Sequence, residues 1–155
     1  MTLTPDAIEE RRTWFREHWR GDIAFNRLLG IEVVRWEPGL VRCRVPFDDR
    51  LSAHDGIFHG GVLATLIDTT GSGAVIAGHD FNNGSRLTTV SVTVNYLSVA
   101  PGEALIAEGV CTRRGRSLNF ARVAVSSEGG KPLAEGILTI SVSGERPGSP
   151  GGTTR

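Results

Sequence analysis

Residues 59–77, HGGVLATLIDTTGSGAVIA, constrain the rest of the chain more than any other stretch. They open with a histidine and two glycines, continue in an apolar helical pattern and carry one acid, Asp68, in the middle. On an ideal helix of about 3.6 residues per turn, Gly61, Ala64, Thr65, Gly71, Ser72 and Val75 lie within roughly 60° of Asp68. The opposite side carries Val62, Leu63, Leu66, Ile67 and Ala74. One face is therefore a greasy stripe that needs a core to lie on. The other is a shallow trough of small side chains around a carboxylate. Gly71 and Gly73 each weaken a helix by about 1 kcal/mol relative to Ala, so something is expected to approach the helix closely there.

The flanking sequence supplies strands to cover the apolar face. Residues 31–36 are rich in β-branched side chains, and Glu37-Pro38-Gly39 has the chemistry of a turn. Residues 40–45 then alternate, with Val41, Cys43 and Val45 inward and Arg42 and Arg44 outward. Residues 47–58 are polar and irregular. Beyond a loop at 78–85, residues 87–97 form the cleanest strand: Val90, Val92, Val94 and Tyr96 alternate with Thr89, Ser91, Thr93 and Asn95. Turns at Pro101-Gly102, 113–116 and 128–131 separate further strands at 104–112, 117–126 and 132–142. Strands joined by short turns run antiparallel. The expected fold is α+β, one long central helix wrapped by an antiparallel sheet of about six strands.

The ends are read separately. Thr4-Pro5-Asp6 opens a helix, and residues 7–19 continue it, with Trp14 and Trp19 expected to dock on the domain body and Gly21 to end it. A short helical turn follows at 24–29. From Gly144 onward nothing apolar remains to bury, so the tail is expected to be disordered. The chain thus divides into an N-terminal helix (1–22), the main domain (23–143) and the tail (144–155).

A chain of 155 residues is long enough for one domain with a real core. Lysine plus arginine and aspartate plus glutamate number 17 each, which gives no global pull towards nucleic acid or an anionic membrane. Cys43 and Cys111 lie in separate strand-like runs without metal-ligand spacing, as expected of reduced, buried thiols. The N-terminus has no apolar signal region and no run reaches about 20 apolar residues. A soluble, cytoplasmic protein that binds neither nucleic acid nor membrane is expected.

Four features bear on chemistry. The first is His59-Gly60-Gly61. Backbone N–H groups at a helix start lack intrahelical partners and carry the positive end of the dipole, so such an entry holds an anion or a developing oxyanion. It equally makes a tight loop-to-helix corner. The second is Asp68, two turns into an apolar helix: a general base or nucleophile, or else a solvent-facing acid or one partner of an interfacial ion pair. The third is the histidines His54, His59 and His79. Their spacing matches no metal motif, and no metal or other cofactor is expected. Nor is there a GxSxG elbow for a serine nucleophile. The fourth is the basic turn Arg113, Arg114 and Arg116. Guanidinium groups suit phosphates, although turn arginines are commonly just solvated.

HGGVLATLID, the long strand ending in VNYL, GRSLNFARVAV and a final strand together resemble the hotdog-fold thioesterase superfamily over residues 25–142. The phenylacetyl-CoA-thioesterase-like (PaaI-like) branch is the nearest. The resemblance implies two subunits paired edge to edge, active sites at the dimer interface and a homotetramer built as a dimer of dimers. It also implies hydrolysis of an acyl-CoA, with an aromatic or medium-chain acyl group, to free acid and CoA. In that scheme the Gly60 N–H polarises the thioester carbonyl and Asp68 of the other subunit activates water or attacks. His59 lines the carbonyl end and Thr89 supplies a hydroxyl near the attacking water. Gly61 and His54 border the substrate, and Arg113, Arg114 and above all Arg116 face the CoA phosphates. Many relatives carry an asparagine six positions before the histidine. Here Ala53 stands there with His54 beside it, so a non-catalytic acyl-CoA-binding or sensor module on the same fold is the competing reading. A hydratase or dehydratase is a third, without its usual motif context here.

Overall fold

The computed structural model describes residues 2–152. Helix α1 (Pro5–Glu17) opens as its sequence predicts: Thr4 Oγ1 accepts from the Ala7 N–H at 3.3 Å and Pro5 sits in the first turn, where its missing N–H is not needed. The helix then winds into a π-helical turn (His18–Asp22) before the short α2 (Ala24–Leu28). Trp19, within that turn, is buried, and its indole N–H donates to the Thr69 carbonyl at 3.0 Å. Trp14 is half-buried and meets Phe15 edge to face.

Strands β1 (Glu32–Glu37) and β2 (Leu40–Val45) form a hairpin whose turn needs Gly39 at φ 81°. The stretch expected to be irregular contains a small hairpin, β3 (Ser52–His54) with β4 (Ile57–Phe58). The central helix α3 (Gly60–Ala77) follows, then β5 (Leu87–Tyr96), β6 (Leu105–Arg114), β7 (Leu118–Ser127) and β8 (Pro132–Val142). The main sheet has the order β1-β2-β6-β7-β8-β5 with every pair antiparallel. A long helix against a six-stranded antiparallel sheet is the hotdog arrangement.

The Pro101-Gly102 turn does not make the hairpin that short-turn reasoning predicts. It carries the chain from β5 at one edge of the sheet to β6 at its centre, between β2 and β7. Composition explains the placement. β6 brings fully buried Leu105 and Ala107, as a central strand must, whereas β5 mixes valines with Thr, Ser and Asn and stays largely exposed.

The core lies between α3 and the inner face of the sheet: Leu63, Leu66 and Ile67 meet Val41, Cys43, Val123, Leu138 and Ile140. A Cβ at Gly71 would stand 2.7 Å from Leu138 and 3.2 Å from Val123. At Gly73 it would stand 3.0 Å from Trp19 and 3.3 Å from Trp36. The close approach these glycines allow is thus made within the chain. Gly71, Ser72 and Val75 are buried, which shortens the expected trough to Gly61, Ala64, Thr65 and Asp68. By length and hydropathy α3 matches a membrane span, but 67% of it is buried in this core.

The segment expected to be disordered packs on α1 as far as residue 152. Buried Arg11 pairs with Glu145 at 2.9 Å, and Glu145 also accepts from Ser85 Oγ at 2.7 Å. Arg146 donates to His18 Nε2 at 2.7 Å and lies over the Trp14 ring. Ion pairs and hydrogen bonds hold the segment rather than apolar burial, so hydrophobicity gives no sign of it. Residues 153–155 of that expectation lie outside the described residues.

Candidate active site

The loop that enters α3 is fixed by backbone hydrogen bonds on both sides. The Phe58 N–H donates to the Ala100 carbonyl at 3.2 Å and the His59 N–H to the Leu51 carbonyl at 2.8 Å. His59 is the N-cap, with extended backbone (φ −63°, ψ 135°), and its Nδ1 accepts from the Gly61 N–H at 2.8 Å. This is the work an Asp or Ser side chain does at other helix starts. It leaves the proton of a neutral His59 on Nε2. The His59 carbonyl accepts from the Val62 N–H at 2.9 Å. Among the described residues, the Gly60 N–H has no hydrogen-bond partner and stands at the positive end of an 18-residue helix.

Two turns further on, half-buried Asp68 accepts from the Thr89 hydroxyl of β5 at 2.8 Å. The sequence separates these two residues by 21 positions, and the fold joins them because β5, at one edge of the sheet, passes beside α3. Tyr96, near the other end of β5, donates its hydroxyl to the Gly60 carbonyl at 2.9 Å. Sequence reasoning missed this residue. Its only signal was its place in the alternating run, on the same face as Val92 and Val94.

Two apolar cavities flank the helix entry. One, of about 400 Å³, is lined by Phe25, Leu29, Leu51 and Val62 beside His59 and Gly61. The other, of about 370 Å³, is lined by Ile57, Leu63, Leu97 and Val99 beside Gly60 and Tyr96. A third, polar cavity of about 630 Å³ lies away from the helix entry, between Arg116-Ser117 and the 82–84 loop, with Glu145 on its wall.

The predicted residues divide accordingly. His59, Gly60 and Gly61 form one cluster and Asp68 with Thr89 a second. His54 and Ala53 are exposed on β3, outside the lining of either apolar cavity. Arg113 stands over the Phe120 ring, 5.9 Å from its centre. Arg114 does something else: its guanidinium donates to the Val75 carbonyl at 2.7 Å and the Ala74 carbonyl at 3.3 Å, satisfying the C-terminal end of α3. Arg116 borders the polar cavity.

Burial pushes the Cys43 thiol up to about 11 and also raises Cys111, so neither is a thiolate near neutral pH. No group of three His, Cys, Asp or Glu side chains among the described residues has the geometry to hold a metal ion. The groups available for chemistry are a free N–H at a helix start, a carboxylate held by a hydroxyl, and apolar space beside the N–H.

Known proteins resemble this chain in sequence and in fold. The sequence pattern of the thioesterase superfamily matches residues 55–134, which span the helix entry, Asp68 and Thr89. Human acyl-coenzyme A thioesterase 13 is 30% identical over 118 residues, 74% of this chain and 82% of that protein. The medium/long-chain acyl-CoA thioesterase YigI of Escherichia coli K12 is 27% identical over 131 residues, 76% of this chain and 84% of its own length. A hypothetical thioesterase of Streptococcus pneumoniae, solved with coenzyme A, superposes with a TM-score of 0.66 at 25% identity, over 75% of this chain and 88% of that one. A pattern matched across the site, and a relative similar over most of its length, place this chain in the thioesterase superfamily.

Proposed function

We propose that the protein is an acyl-CoA thioesterase that hydrolyses the thioester to free acid and CoA. The observation that carries this reading is the free Gly60 N–H at the start of α3, flanked by apolar cavities and followed on the same helix by the Asp68–Thr89 pair. The thioester oxygen sits on the Gly60 N–H, where charge that develops in the tetrahedral intermediate meets a fixed dipole. A carboxylate either takes the proton from an attacking water, or attacks the carbonyl carbon itself to give a mixed anhydride that water then hydrolyses to the free acid, returning the carboxylate. Collapse of the intermediate breaks the C–S bond, and the CoA thiolate leaves with the electron pair and takes up a proton. An apolar cavity beside Gly60 receives an aromatic or medium-chain acyl group, in keeping with the medium/long-chain activity named for the Escherichia coli relative.

One chain cannot supply both groups to one carbonyl. Gly60 and Asp68 are eight residues apart on the helix, which at 1.5 Å per residue is about 12 Å along its axis. The active unit is therefore a homodimer in which the partner's Asp68 faces the Gly60 N–H. Edge strand β5, with exposed Val90, Val92 and Tyr96 and exposed Leu97 just beyond its end, is the surface that pairs. A dimer of dimers is compatible with the exposed Ile137 on the outer sheet face. Arg116, from the β6–β7 turn, and Arg113, near the end of β6, reach towards the CoA phosphates, in a soluble cytoplasmic enzyme.

The test is thiol release from a panel of acyl-CoAs (short aliphatic, medium aliphatic, phenylacetyl, hydroxybenzoyl) by the wild type and Asp68→Asn. The proposal expects turnover by the wild type and a loss of about 10²–10⁴-fold in the variant, the range of general base catalysis. An equal rate in both would sink it. Ala53, exposed and without a polar side chain, favours the second reading, a module that binds acyl-CoA without hydrolysis. Tight binding without thiol release would identify that module.

A further inference from the structure

We infer that Tyr96 is a positioning residue for the oxyanion donor, an inference that rests on the thioesterase reading of the Gly60 N–H. A glycine at this point is needed for close approach of a ligand, but it is also the residue whose backbone is least restrained. Every other polar group around the Gly60 Cα is engaged. The peptide before it is held through the His59 carbonyl by the Val62 N–H at 2.9 Å. The peptide after it is held at both ends: its carbonyl accepts from the Tyr96 hydroxyl at 2.9 Å and its N–H donates to His59 Nδ1 at 2.8 Å. The Tyr96 ring also lies against the Gly60 Cα. A Cβ there would stand 3.3 Å from the ring carbons, so ring and glycine are in direct packing contact. With both flanking peptides fixed, the Gly60 N–H has one direction in which to point.

Tyr96 ties this donor to the strand that holds the carboxylate. Thr89 and Tyr96 both belong to β5, the first bonded to Asp68 and the second to Gly60. If β5 pairs with its copy in a partner chain, the strand that sets the donor of one site also sets the acid of the other. A misplacement of about 1 Å costs about a hundredfold in rate, so the clamp matters for kcat far more than for stability.

The chain has a single tyrosine, and Tyr96→Phe removes the hydroxyl while keeping the ring. Three quantities are measured in wild type and variant: kcat and KM for the best acyl-CoA of the panel, the melting temperature, and amide hydrogen exchange at Gly61, whose N–H is hydrogen-bonded, without substrate. The expected result is kcat lower by about tenfold or more, KM within about twofold, an unchanged melting temperature, and exchange at Gly61 faster by a similar factor; one lost oxyanion donor sets the upper limit at about 10²–10³ in kcat. Wild-type kcat and wild-type exchange in the variant would overturn the inference. So would a fall in kcat that follows a fall in melting temperature with exchange accelerated throughout the fold, which marks a merely structural role. A wild type that releases no thiol removes the thioesterase reading, and the exchange measurement then decides the clamp alone: faster exchange confined to Gly61 upholds it and unchanged exchange overturns it.

Discussion

The Thr89 hydroxyl donates to Asp68 Oδ1 at 2.8 Å, tying the middle of the central helix to the edge strand. A hydroxyl donor occupies one lone pair of the carboxylate and fixes the orientation of the group. A carboxylate that must meet a water or a carbonyl carbon benefits from that fixed orientation, because most of its rotational freedom is removed before substrate binds.

Thr89→Val tests the relationship with a substitution of nearly equal shape. It keeps a β-branched residue in β5 and deletes the donor. Turnover is expected to fall about tenfold or more with KM little changed, since the lost contact concerns the reacting group rather than substrate binding. Thr89→Ser restores the hydroxyl and is expected to recover most of the rate. Steady-state thiol release by the three proteins checks this, and a Val variant as fast as wild type would remove Thr89 from the site.

The central helix, the acid and the helix entry were legible because each has a local signature: apolar periodicity, a charge inside it, and a His-Gly-Gly start. The strands were legible from alternation, but their order was not. β5 and β6 are neighbours in sequence and are separated in the sheet by β8 and β7, and no local rule distinguishes a turn that pairs its flanking strands from one that crosses the sheet. The small-residue trough was misread for a related reason. A helical wheel shows that Gly71 lies near Asp68 but not that Leu138 fills the space beside it. Tyr96 and Arg114 were invisible as partners of α3 because their contacts span 36 and 39 to 40 positions of sequence, and a side chain's reach across a fold has no periodicity.

Arg114, the last residue of β6, and Arg116, in the turn that follows, are expected to behave in opposite ways. Arg114 donates to the last carbonyls of α3, so Arg114→Ala leaves them without a charged donor at the negative end of the helix dipole. Each hydrogen bond to a charged group is worth about 1.5–3 kcal/mol at most, and the partial exposure of Arg114 puts the expected loss near 1 kcal/mol. Chemical denaturation reads it as a lower midpoint with an unchanged slope. Arg116→Ala is expected to leave the midpoint in place and to raise KM for acyl-CoA severalfold, an effect that weakens as salt screens the phosphates. A rise in KM for Arg114→Ala at wild-type stability would reverse the two assignments.

Acid should loosen the packing of the C-terminal segment on α1. His18 Nε2 accepts from Arg146, which only a neutral imidazole can do. Burial, and then the Arg146 charge, hold His18 below its ordinary value of 6.5, against a smaller opposing pull from Asp22. His79 is also lowered, first by burial and then by Arg114, although its hydrogen bond to the Gly84 carbonyl and the nearby Asp80 act the other way. A histidine whose value is lower in the folded chain binds fewer protons there than when unfolded, so stability rises with pH. The contribution of both is complete above the unfolded value of about 6.5. It is lost as pH falls from there through the folded values. Thermal unfolding at a series of pH values from 8 to 5 is expected to show a plateau above about 7 and a falling melting temperature below it. In His18→Gln, which keeps an acceptor for Arg146 but cannot take a proton, the fall is expected to be shallower. A profile identical to wild type in that variant would mean that the His18–Arg146 contact does not respond to pH.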